Sequence, residues 1–151
     1  MSIFNICTDR ITIQASAETV WNVLTDVDRY GEWNTFTSRA STDFQIGSPA
    51  HLLVRMGPGK FNITETVFKF DKPRLLGWSK VFVTRWLLFA MREQILEPVG
   101  ETCCTYHNVD RLSGLLAPLV WLCFGGYMRR GFTDVGVGLK SFVETGNAES
   151  G

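Results

Sequence analysis

The hydrophobic periodicity of this chain changes once, and that change limits what it can fold into more than any other feature. Up to Leu112 the pattern is one of short strands broken by turn signals. After Ser113-Gly114, residues Ala117, Trp121, Phe124, Met128, Phe132, Val135, Leu139 and Phe142 recur at spacings of three and four. Such spacing puts them on one face of a single amphipathic helix of about seven turns. A helix of that length following a run of strands is the only element able to cover them, so it is expected against the concave side of the sheet. The chain of 151 residues is long enough for one sizeable core and too short for two. One domain is therefore placed over residues 1–145, with a flexible C-terminal tail over residues 146–151 that starts at the stop signal Gly146-Asn147.

Residues 3–13 read as one strand. In Ala15-Ser16-Ala17-Glu18, Ser16 can cap a helix and Glu18 suits its positive end. That helix continues through Val20, Val23, Leu24 and Val27. A second short helical turn, rich in aromatics, follows at Asp28-Arg29-Tyr30-Gly31-Glu32-Trp33-Asn34. Turn signals at Gly47-Ser48-Pro49, Gly57-Pro58-Gly59, Asp71-Lys72-Pro73 and Pro98-Val99-Gly100 divide residues 39–112 into about five or six further antiparallel strands. The run Trp86-Leu87-Leu88-Phe89-Ala90-Met91 is apolar at both parities, so a cover on both of its sides is expected.

Five glycines, Gly125, Gly126, Gly131, Gly136 and Gly138, interrupt the helical stretch, each costing up to about 1 kcal/mol relative to alanine. The steric reading is that they permit close approach to the sheet or leave room for a guest. The uncharged stretch 115–128 contains Pro118, Gly125 and Gly126 and reaches only about two-thirds of the roughly 20 residues of a spanning helix. It reads as a buried helix. Together with the stretch 82–89, charged only at Arg85, residues 115–124 are also the candidate rim for contact with a membrane, a partner or a second copy.

Fifteen basic and fifteen acidic side chains balance, leaving no net field to draw in nucleic acid or an anionic surface from a distance. Cys7, Cys103, Cys104 and Cys123 show no CxxC and no zinc-type spacing. With no signal peptide evident, a reduced cytoplasmic protein with inert thiols is expected.

The element order, the Trp33-Asn34 turn, and the segment Asp110-Arg111-Leu112-Ser113-Gly114-Leu115-Leu116-Ala117-Pro118-Leu119 running into Arg130-Gly131-Phe132 resemble the START-like (SRPBCC) superfamily. Within it the likeness is to the bacterial polyketide cyclase/dehydrase and lipid transport family, related to the Bet v 1 fold, over residues 3–144. The resemblance implies an α+β helix-grip fold: a curved antiparallel sheet of about six or seven strands wrapped around a long C-terminal helix, with two short helices after the first strand. It also implies an internal cavity that binds or transports a hydrophobic small molecule, such as a lipid, a quinone or a polyketide-like compound. Two alternatives remain open, a cyclase or dehydratase working through pocket acid/base residues and a co-chaperone-like interaction module, because one fold hosts many functions.

No nucleophile motif, GxGxxG or phosphate-binding loop occurs, and only His51 and His107 are present, so a Ser/His-type hydrolase is not indicated. Acid/base work in a dry cavity needs less. The candidates are Glu65, Arg92, Glu93 and His107, all in strands, with His107 the first choice for a polar pocket contact. Ligand-facing residues are expected among Trp33, Phe36, Trp78, Phe89, Tyr106, His107, Phe124, Met128 and Phe132, since such pockets have mainly apolar walls with a few placed polar groups. The apolar run also includes Trp86 and Trp121. No cofactor and no metal are expected, nor a nucleic-acid partner; the protein is expected as a monomer or homodimer.

Overall fold

The computed structural model describes residues 2–56 and 58–146; Met1, Gly57 and all but the first residue of the tail expected over residues 146–151 lie outside it. Eight strands form one antiparallel sheet: β1 (Phe4–Cys7), β2 (Ile11–Ile13), β3 (Thr37–Ser41), β4 (Pro49–Met56), β5 (Gly59–Asp71), β6 (Leu75–Val81), β7 (Phe89–Gly100) and β8 (Cys103–Ser113). Across the sheet the order is β1-β8-β7-β6-β5-β4-β3, with β2 also paired to β8. From β3 onward each strand pairs with the next, as a meander with short turns requires.

The single strand expected over residues 3–13 is two. β1 pairs with residues 109–112 and β2 with residues 104–106 of β8, so Thr8, Asp9 and Arg10 stand opposite only His107 and Asn108. The extra residue is accommodated as a bulge, with the Thr8 amide donating to the Asn108 carbonyl at 3.1 Å and the Asn108 amide to Thr8 Oγ1 at 2.9 Å. Alternation of apolar residues does not reveal such a break, because a bulge shifts the phase by one residue while leaving composition unchanged.

Helix α1 (Ala17–Leu24) begins at Ser16, whose hydroxyl accepts the Thr19 amide. A 3-10 helix follows at Val27–Glu32, where the second helical turn is expected. The Asn34 carboxamide oxygen then accepts the amides of Phe36 and Thr37 at 3.1 and 2.7 Å, an Asx-type turn that sets the entry of β3 and the position of Phe36.

The terminal helix α2 (Ala117–Glu144) crosses the sheet. From Met128 onward it carries the buried stripe Met128, Phe132, Val135, Leu139 and Phe142 at helical spacing. The first half departs from the buried helix expected there: Leu119, Trp121, Leu122 and Phe124 are exposed. The stretch 82–88 also departs from expectation. β6 ends at Val81 and β7 starts at Phe89, and the residues between form a turn-rich excursion closed by Phe82 N to Leu88 O at 3.0 Å. Val83 and Trp86 there are exposed rather than covered on both sides. No helix among the described residues is long and apolar enough to cross a membrane.

The helix glycines sort by position. A Cβ on Gly138 would stand 2.2 Å from the Trp33 carbonyl oxygen, and one on Gly131 would stand 2.3 Å from the Phe36 ring. On Gly136 it would press on Tyr106 and Ile11 at 3.3 and 3.4 Å, and on Gly125 it would only just reach Ile6 at 4.0 Å. Gly126 meets nothing within 4 Å. Close approach therefore explains three of the five, and Gly126 is left without a packing reason.

Substitution at these positions should have opposite signs. Gly138→Ala should lower stability by about 2 kcal/mol, since the clash is with backbone, and Gly126→Ala should raise it by up to about 1 kcal/mol. Urea denaturation of both variants checks this; a neutral Gly138→Ala would mean that α2 is not held as closely as described.

Candidate functional site

Side-chain direction alternates along each strand, and register decides which residues meet across the sheet. On β7 and β8 the pairs Ala90–Leu112, Arg92–Asp110, Gln94–Asn108 and Leu96–Tyr106 are opposite one another and belong to the face that α2 covers. Between that face and the first half of α2 lies a cavity of about 260 Å³. Its apolar wall comes from Leu52 and Val54 of β4, Ile63 of β5, Ala90 and Leu112, with Phe36, Phe82, Leu88, Val120, Phe124, Met128 and Phe132 closing it. Three ionisable side chains line it: Glu65, Arg92 and Asp110.

Arg92 is held from behind. Its Nε donates to Asn108 Oδ1 at 3.0 Å; Asn108 Nδ2 donates to the Tyr106 hydroxyl at 2.9 Å; that hydroxyl donates to Gln94 Oε1 at 2.7 Å. The guanidinium also lies 4.3 Å from the Phe132 ring centre and 5.5 Å from that of Phe36, within cation–π range. Arg92 Nη2 and Asp110 Oδ1 are nevertheless buried with no hydrogen-bond partner. Among the ion pairs of the described residues, none joins Arg92 to Glu65 or Asp110. Buried polar atoms are normally satisfied, and here two of opposite character line one apolar cavity.

Burial pushes the Asp110 carboxyl up to about 7; nearby Glu65 adds to the rise and Arg92 opposes it. Burial likewise raises Glu65, against Arg92 and Lys80. Two carboxylates and one guanidinium would leave a net negative charge in an apolar site. A proton held on one carboxyl near neutral pH removes it. Among the described residues no three histidine, cysteine or carboxylate side chains converge to hold a metal ion.

Of the residues singled out from sequence, Phe36, Glu65, Arg92, Phe124, Met128 and Phe132 meet at this cavity. Trp33 packs on Tyr30 beside the second half of α2, and Trp78 packs on Phe44. Tyr106 serves the network behind Arg92 and borders a separate groove near the bulge with Thr8, Ile11, Gly136 and Lys140. His107 and Phe89 have the wrong parity for the cavity. The His107 ring lies on the other face, its Nδ1 4.0 Å from Glu97, and Arg85 covers the Phe89 ring at 4.2 Å. Glu93 is also on that face, paired with Lys69 at 3.1 Å and with Arg111. Asp110 is the polar residue that sequence alone passes over. Its signal is being in phase with Tyr106, Asn108 and Leu112, which counts only once β8 is known to present that phase inward.

A curved antiparallel sheet gripping one long helix over a partly polar cavity defines the helix-grip class of ligand-binding folds. The family model described as polyketide cyclase / dehydrase and lipid transport matches residues 6–142, and the chain belongs to that family. No curated protein matches the chain. A solved protein from Nitrosomonas europaea is 14% identical with a TM-score of 0.73, covering 95% of this chain and 96% of its own. A START superfamily protein from Mycobacterium smegmatis is 15% identical with a TM-score of 0.68, covering 95% and 97%. A norcoclaurine synthase point mutant from Thalictrum flavum, solved with a transition-state analogue, is 13% identical with a TM-score of 0.69, covering 95% and 96%. At these identities the likeness concerns the fold.

The raised Asp110 carboxyl has a defined consequence for stability. Between about pH 4 and pH 7 the unfolded side chain has lost its proton while the folded one retains it, so stability falls as pH rises through that window and levels off above it. Asp110→Asn should remove the Asp110 share of this slope and leave that of Glu65, changing stability relative to wild type by up to about 4 kcal/mol from pH 4 to pH 8. Thermal melts across that range check it, and parallel curves would refute the assignment.

Proposed function

We propose that the protein binds a small, largely apolar molecule in the cavity between sheet and helix, holding one polar group of that molecule between Arg92 and Asp110. The observation carrying this reading is the pair of unpartnered buried atoms, Arg92 Nη2 and Asp110 Oδ1, inside an apolar wall. Apolar walls confer affinity through desolvation, and a few converging polar groups fix orientation. Arg92 supplies a donor; the carboxyls supply an acceptor when ionised and a donor when protonated. A hydroxyl, enol or carbonyl on an otherwise apolar skeleton satisfies them, as in polyketide-like molecules and quinones. The cavity volume of about 260 Å³ lies just below the ~300–1,000 Å³ of most small-molecule sites. It suits a ring system or a short acyl segment better than a two-chain lipid.

A second reading draws on the same residues. A protonated carboxyl beside a carboxylate and a guanidinium in a water-poor site is the equipment for moving a proton on a carbonyl compound, as a cyclase or dehydratase would need. The family description includes both activities. Asp110→Asn and Glu65→Gln separate the two, since a carrier keeps its cargo unchanged with either side chain, whereas a catalyst binds and ceases to convert it.

Native mass spectrometry of freshly purified protein, followed by organic extraction, should recover a small molecule at one per chain. Val120→Trp, which fills the cavity from α2, should weaken its binding at least about tenfold, or ~1.4 kcal/mol, with the fold retained by circular dichroism. Arg92→Met should weaken it by a similar factor. An empty wild-type protein that gains no thermal stability from a library of hydrophobic compounds would reject the reading.

A further inference from the structure

Two segments that border the cavity are apolar on the side facing solvent. In the 82–88 excursion Val83 is 87% exposed and Trp86 61%; Leu115, in the turn before α2, is 67% exposed and Leu122, within it, 76%. Leu119 and Leu122, three apart, lie on one face of α2, and that face continues to Arg129; Leu115 stands in the turn just before the helix. The segments form one surface: the Leu115 amide donates to the Trp86 carbonyl at 2.8 Å and the Leu116 amide to that of Leu87 at 2.9 Å. Phe82 and Phe124 both line the cavity and reach solvent, so the cavity's outer end lies within this surface. A soluble monomer rarely leaves so continuous an apolar patch uncovered.

Charge identifies what covers it. The 82–88 excursion carries Arg85 and no acid, and residues 115–130 carry Arg129 and Arg130 and no acid. Among the described residues, Arg85, Arg129 and Arg130 form no ion pair; Arg85 and Arg130 lie over the rings of Phe89 and Tyr127. The chain's zero net charge therefore conceals a face that is cationic and apolar at once. A second copy docking by two-fold symmetry would set this surface against the same surface of its partner, which offers arginines and no acid to pair them. An anionic bilayer instead accepts leucine and valine below the headgroups, tryptophan and tyrosine among them, and arginine at the phosphates.

We infer that this face docks the protein on an anionic lipid surface, with the 82–88 excursion and the first turns of α2 inserted and the cavity opening toward the acyl chains. Val83 supports this independently. It is a β-branched residue at a φ of 69°, a conformation such residues avoid, and at 87% exposed it buries little that would offset the strain. The inference concerns the rim and does not depend on the cargo, although a cargo of low water solubility would reach the cavity most directly from a bilayer.

Flotation with vesicles tests it on the intact chain. Wild-type protein should float with phosphatidylcholine–phosphatidylglycerol vesicles, and much less with phosphatidylcholine alone or at high salt. The double variant Val83→Asn, Leu122→Gln replaces exposed side chains, one with a residue better suited to positive φ, so its melting temperature should not fall. Its partitioning should drop at least about tenfold. Arg129→Gln with Arg130→Gln should weaken binding by about tenfold or more on the anionic vesicles only. Brominated lipids should quench the native tryptophan fluorescence, which requires no substitution. Failure to float on either vesicle, flotation without quenching, or a dimer that the Val83/Leu122 variant disperses in the absence of vesicle binding would each overturn the inference. Cargo binding is measured separately, so failure here leaves the cavity reading standing.

Discussion

The contact between the second half of α2 and the elements beneath it governs much else in the molecule. Gly138 admits the Trp33 carbonyl and Gly131 admits the Phe36 ring, so the helix backbone sits closer to the 3-10 segment and the β3 entry than any side chain would allow. With that half seated, Phe132, Val135 and Leu139 enter the core. The first half then runs over the other end of the sheet, where Val120, Phe124 and Met128 roof a space they do not fill. The cavity is thus a consequence of one helix being tight at one end and lifted at the other.

The polar residues of the cavity depend on the same arrangement. Arg92 and Asp110 are direct cross-strand neighbours, yet no ion pair joins them, because Arg92 is drawn toward Asn108 and the two aromatic rings. A buried charge pair with poor mutual geometry seldom favours stability. Residues kept in that state are better accounted for by a partner that arrives from solution than by folding. The opposite face of the sheet provides a contrast: there Glu93 is matched by Lys69 and Arg111, the arrangement expected where the carboxylate serves the fold.

Much of the architecture was legible in the sequence. The Ser16 cap, the Trp33-Asn34 turn, the β3–β8 meander and the terminal helix all rest on local signals, namely capping chemistry, turn residues and the period of three to four. The bulge at residues 8–10 was not legible, nor was the excursion at 82–88. The first is a phase shift without a compositional mark, and the second has the composition of a buried strand, although Val83 and Trp86 are exposed. The site was legible in kind more than in detail. Glu65 and Arg92 were among the acid/base candidates, and Phe36, Phe124, Met128 and Phe132 among the wall residues. His107 stood out as a histidine near aromatics, and Asp110 did not stand out at all.

The sequence by itself determined the order of elements, the existence of one long covering helix and a composition rich enough in aromatics to wall a cavity. These follow from interactions within a few residues of one another. Only the tertiary structure decided that Asp110 and not His107 faces the cavity, that α2 is buried in one half and bare in the other, and that a chain of zero net charge carries a cationic apolar face. The reason is geometric. A one-residue change in strand register exchanges the two faces of a sheet, and register is set by pairings such as Arg92 with Asp110 that join positions far apart in the chain.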